Sequence, residues 1–193
     1  MIIDSMIANA KIGNKKITIS YDELQDDPRQ FSESLGTMAC FHKRYDIGDP
    51  THRDENPLEF QEWVTTSKEI VKYFPIYLYD HSGLTIRTYP FECRWDSGLL
   101  GYIYVTKERV RKEYGVKRIS PQLLDKVSKV LLAEIKEMDY YLRGEVYCID
   151  LEEDGEVIDS ICGIYGYDNL KDYLNTEVSN NYQFKQVVEQ LDL

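Results

Sequence analysis

The sequence has no apolar run near the roughly 18 residues that a membrane-spanning helix needs, so no membrane partner is expected. Its first residues, MIIDSMIANAKIGNKK, lack the basic start and unbroken apolar block of a secretory signal. No C-x-x-C, H-x-x-x-H or H-E-x-x-H spacing occurs, which removes the common zinc frameworks. No Walker loop and no G-x-G-x-x-G is present, so nucleotide binding by either route has no support. Ser97 has no G-x-S-x-G elbow to make it a hydrolase nucleophile. Histidines number three and cysteines four, and Cys40, Cys93, Cys148 and Cys162 stand singly. They read as reduced thiols in or near the core of a cytoplasmic protein. Repeats, low-complexity tracts and Gly/Ser linkers are also missing.

What is present is a folded composition, 42% hydrophobic and 30% charged. Sixteen tyrosines against six phenylalanines predict many rings with one face buried and the hydroxyl near water or a partner. The net charge is −11 and it is unevenly spread. Residues 144–193 hold 12 acidic and 2 basic side chains, whereas residues 106–143 hold 6 acidic and 10 basic. A negative field of this kind repels nucleic acid and attracts the cationic surfaces that normally hold it.

Punctuation by Gly, Pro and capping residues predicts a single α+β domain over 1–193. Its expected frame is an antiparallel or mixed sheet of hairpins carrying about four helices. Strands are expected at 16–20, with Ile17 and Ile19 on one face, at 37–41 and at 101–105. IYLYD and LTIRTY should pair as a hairpin around DHSG, and 145–166 should form a second hairpin turning at EEDGE. Asp27-Pro28 should open a short helix that Gly36 closes. Asn56-Pro57 should open another, whose stripe of Phe60, Trp63, Val64, Ser67, Ile70, Val71 and Phe74 runs to a stop at Pro75. Thr106 caps a short basic helix, Ser120-Pro121 opens the longest one, and DNLKDYL reads as a short helix.

Three groups of residues could carry chemistry. DHSG and WDSG each spell an acid, a hydroxyl and a glycine, which is the composition of tight turns. If both turns lie at one end of the sheet, Asp80, His81, Asp96 and Ser97 become neighbours, with His81 as a general base. The loop FHKRYDIGDPTHRDEN offers Asp46, Asp49 and His52, with His42 and Asp54, as ligands for a divalent metal. The second hairpin carries Asp150, Glu152, Glu153, Asp154, Glu156 and Asp159 with no basic residue among them, a surface suited to a basic groove.

The motifs LGTMACFHKRYDIGD, YLYDHSG, CRWDSG followed by GYIYV and VRKEYG, and the terminal DSICGIYG together resemble a family of small proteins of bacteriophages, plasmids and other mobile elements. The resemblance covers about residues 20 to 167. It implies an anti-defence role, against a CRISPR-Cas or restriction effector, and it brings no established catalytic residue with it. The expected function is therefore inhibition of a host nuclease effector by an acidic surface. The alternative is a small phosphodiesterase that cleaves RNA, for example a guide RNA, with the His/Asp cluster.

Overall fold

Ile17 and Ile19 are fully buried on one face of a strand, as their alternation with Lys16, Thr18 and Ser20 requires. The structure is a computed structural model and describes residues 6–31, 33–52, 55–180 and 184–191. In chain order the strands are β1 Met6–Ile12, β2 Lys15–Tyr21, β3 Thr37–Cys40, β4 Ile70–Asp80, β5 Leu84–Arg87, β6 Ser97–Thr106, β7 Val146–Glu153 and β8 Glu156–Tyr165. The helices are α1 Pro28–Phe31, α2 Pro57–Thr66, α3 Lys107–Tyr114, α4 Pro121–Leu142, α5 Tyr167–Tyr173 and α6 Lys185–Val188. The chain is thus α+β with antiparallel hairpin sheets, as expected. The strands form two sheets of four, each in its own compact unit.

The first unit joins Met1–Asp26 to Gly144–Leu193. Its sheet runs β1-β2-β7-β8, antiparallel throughout. Ile17, Ile19, Tyr147, Ile149 and Leu151 point to one face. Leu170 of α5, Leu174 and Val178 of the following π-helical turn, and Phe184 and Val187 at α6 close over them. Burying such side chains is worth about 1.5–3 kcal/mol each. At β8 one residue of β7, Cys148, faces two, Cys162 and Gly163, because the pairing shifts between Tyr147↔Ile164 and Ile149↔Ile161. Gly163 has φ +74°, the left-handed geometry such a bulge favours in a glycine.

The second unit spans Asp27–Arg143. Its sheet runs β3-β6-β4-β5, and central β6 is buried from Leu100 to Val105. A strand read as continuously apolar must be covered on both faces. One face meets α4 through Val127, Leu131, Ile135 and Met138 against Met38, Ile76, Ile103 and Val105. The other meets Phe60 and Val64 of α2 over Ala39, Tyr102 and Tyr104. Gly101 lets β3 come close: a Cβ there would stand 1.9 Å from the Ala39 carbonyl oxygen.

Two expectations are corrected. The helix opened by Asn56 ends at Thr66, and Ile70 to Phe74 belong to β4, which continues through Pro75. Pro75 pairs with Tyr102 of β6, while β5 reaches only from Tyr77 onward. The open side of β4 at that point tolerates a residue without an N–H. The cysteines are not four thiols. Cys148 and Cys162 are disulfide-bonded, and Cys40 and Cys93 stand outside that bond. The cysteine argument for a reducing compartment therefore falls away. Among the described residues, no helix is long and apolar enough to cross a membrane.

Candidate functional site

Because β4 and β6 are antiparallel, the end of β4 meets the start of β6. Tyr79 pairs with Ser97, and the Asp80 N–H donates to the Asp96 carbonyl at 2.8 Å. The two glycine-ended tetrads therefore lie side by side. In DHSG the chain turns through Ser82 (φ +57°) and Gly83, closed by the His81 N–H donating to the Gly83 carbonyl at 3.2 Å. His81 Nδ1 stands 3.4 Å from an Asp96 carboxylate oxygen, and its ring is mostly in solvent.

The structure thus brings together Asp80, His81, Asp96 and Ser97. It adds residues that the spacing did not single out for this place. A cavity of about 280 Å³ is lined by His42, Arg44, Asp80, Trp95, Asp96 and Ser97, with Leu78 and Leu100 at its apolar side. Arg44 forms an ion pair with Asp80, whose other oxygen accepts from the Tyr45 hydroxyl at 3.4 Å. His42 stacks on Tyr45, and its Nδ1 accepts from the backbone N–H groups of Arg44 and Tyr45, at 3.2 Å each. Two donors into Nδ1 leave the neutral ring with its proton on Nε2. The Ser97 hydroxyl donates to the Cys93 carbonyl, so it holds a turn rather than standing as a nucleophile. Trp95 is 96% exposed, an unusual setting for so large an apolar ring.

The loop before α2 does not assemble Asp46, Asp49 and His52 into a metal site among the described residues. Both Asp49 oxygens receive Arg29, and one also accepts the Met38 N–H. His52 lies between Glu55, 2.7 Å from Nδ1, and the Tyr104 hydroxyl, 2.8 Å from Nε2. Burial pushes the Tyr104 hydroxyl above the ordinary tyrosine pKa. Asp46 is exposed, and Asp54 lies outside the described residues.

The acidic hairpin forms as expected, but two of its carboxylates have lysine partners on β2. Glu152 receives Lys16 at 2.8 Å and the Thr18 hydroxyl at 3.2 Å, and Glu153 receives Lys15 at 2.8 Å. The Lys16 hydrogen bond holds the Glu152 carboxyl below its usual range. Asp150 accepts from the Ser160 hydroxyl at 2.6 Å, and Asp154, at φ +55° in the turn, accepts from Asn14 at 3.0 Å. Glu156 and Asp159 are exposed on edge strand β8, as are Val157 and Ile158 between them. The sequence hid this pairing because β2 and β7 are far apart in the chain.

Counted by unit, the charge separates completely. The first unit has 16 acidic and 5 basic side chains, a net −11. The second has 18 of each, a net zero. No protein-family model matches the chain, and neither does any curated protein or solved structure.

Proposed function

We propose that the chain is a binding protein whose acidic first unit docks on a cationic surface of a partner. The partner expected from the mobile-element resemblance is a host nuclease effector of CRISPR-Cas or restriction type, occupied where it would otherwise hold nucleic acid. The observation that carries the reading is the charge division, with all of the −11 on one compact unit and none on the other. A one-signed surface speeds encounter with its opposite and makes association salt-dependent. Edge strand β8 adds two exposed apolar side chains, Val157 and Ile158, beside Glu156 and Asp159. The test is binding to purified effectors across a salt series, with and without Glu156→Lys and Asp159→Lys. Binding indifferent to both salt and charge reversal removes the reading.

A second reading rests on the hairpin-end cavity. Arg44 and the Nε2–H of His42 could hold a phosphate, the exposed Trp95 ring could stack a base, and His81 could take a proton. This is the RNA phosphodiesterase alternative. It requires that the purified protein shorten RNA and that His81→Ala stop it with the fold intact. An intact RNA after long incubation with magnesium discards it.

A further inference from the structure

Cys148, Cys162 and Asp22 meet on one side of the first unit's sheet. Their ligand atoms, the two Sγ and a carboxylate oxygen, all lie within 4.8 Å of one another. We propose that reduction of the Cys148–Cys162 bond converts this strand staple into a binding site for a thiophilic divalent cation such as Zn²⁺, with the two thiolates and the Asp22 carboxylate as ligands.

The local backbone is shaped for this cluster. Cys148 and Cys162 sit at the bulge between β7 and β8, where a regular ladder would pair residues one to one. The extra residue, Gly163, re-aims Cys162 toward Cys148 and takes its own N–H out of the ladder. That N–H donates to Asp22 Oδ2 at 3.1 Å, while the Leu24 N–H donates to Oδ1 at 3.0 Å. Asp22 follows β2, and its own N–H donates to the Val146 carbonyl at 2.8 Å, so both ends of the residue are fixed. Two backbone donors orient the carboxylate as outer partners orient metal ligands, and they leave lone pairs free for a cation. A tetrahedral Zn²⁺ with Zn–S bonds of about 2.3 Å holds its sulfurs about 3.8 Å apart, so the two sulfurs must part from bonding distance once the disulfide is cut. Three protein ligands leave a fourth position for water or another donor.

Access favours opening from one side. Cys162 is exposed and Cys148 is buried. A dithiol attacks Cys162 Sγ with one thiolate, and Cys148 leaves as the thiolate. The second thiol of the reductant then closes on the mixed disulfide and releases Cys162. The protein gains two thiols and the reductant becomes its own cyclic disulfide. Binding of the cation then displaces the remaining thiol protons.

The experiment uses the full chain, reduced by a phosphine to avoid competing thiols (phosphine and water become phosphine oxide as the disulfide becomes two thiols). Co²⁺ serves as the optical probe. The reduced protein should bind one Co²⁺ with a thiolate-to-metal absorption band, and the oxidised protein none. Asp22→Asn should weaken binding by about tenfold or more, in the range seen when metal-site partners are lost. Cys162→Ser should abolish the band. Absence of the band in the reduced chain overturns the proposal. So does an undiminished band in Cys162→Ser, which would place the metal at Cys40 or Cys93, and so does unchanged affinity in Asp22→Asn. Circular dichroism accompanies each titration, and a reduced chain that has lost its strand signal counts against the site as well.

Discussion

Arg29 and Asp49 meet side-on, with Nε and Nη2 each donating to a different carboxylate oxygen at 2.8 Å. The same guanidinium donates to Glu134 at 3.0 Å and to the Gly36 carbonyl at 2.7 Å. Glu134 in turn accepts the N–H groups of Leu35 and Gly36. Burial opposes the Arg29 charge, but the bonds and charges of Asp49 and Glu134 outweigh it and hold its pKa above the usual value. One arginine, only 3% exposed at its side chain, thus fastens α1, the segment leading into β3, and α4.

Removing that arginine alone leaves two carboxylates without their cation. Arg29→Met should cost about 3–5 kcal/mol, read as a lowered denaturation midpoint. Adding Asp49→Asn and Glu134→Gln to it should recover part of the loss, since the penalty comes from unpaired charge.

Gly101→Ala should be among the most damaging single changes. Its Cβ would fall 1.9 Å from the Ala39 carbonyl oxygen, a backbone atom that can move only by parting β3 from β6. The expected loss exceeds about 4 kcal/mol. Gly98→Ala, where a Cβ meets open space, should change stability by no more than about 0.5 kcal/mol.

Burial, reinforced by the Glu134 charge, raises the Glu137 carboxyl above its ordinary pKa. Between the unfolded and the raised folded value, the folded chain holds the proton more tightly. Stability contributed by this group is therefore present in acid and lost as pH rises through the folded pKa. Glu137→Gln should stabilise the protein at neutral pH, and the gain should vanish toward acid. Denaturation curves at the two pH values check both halves.

For the acidic unit, Glu156→Lys with Asp159→Lys should slow association with a cationic partner and flatten its salt dependence. Dissociation should change less, because exposed charges act mainly on encounter. Both side chains are exposed, so stability should stay within about 0.5 kcal/mol of the parent. Stopped-flow association at several salt concentrations measures the effect.

The sequence made the local features legible. Asn56, Thr106 and Ser120 cap helices where their side chains accept from Leu58, Arg109 and Leu123. The turns at DHSG and EEDGE and the strand pairs beside them also lie where alternation puts them. Ile70 to Phe74 misled because an apolar stretch at a helix end fits either period, and Pro75 just after it reads as a stop. MIANAKI, the strand β1, carries too little apolar alternation to announce itself. The residues of the hairpin-end cluster could be named from their turns, but their meeting depends on the antiparallel pairing of β4 with β6, which the sequence left as a condition. The lysine partners of Glu152 and Glu153 and the cysteine pair at a bulge depend on register, which no local window contains.

Lys15 and Lys16 reach their glutamates across 138 and 136 positions of chain. A ribosome therefore delivers β2 long before it makes the strand that β2 needs. Everything from Asp27 to Arg143 emerges in between, and it can condense while the first hairpin still waits with one margin unmatched. A stall or truncation before Val146 would leave that margin bare, open to pairing with another chain.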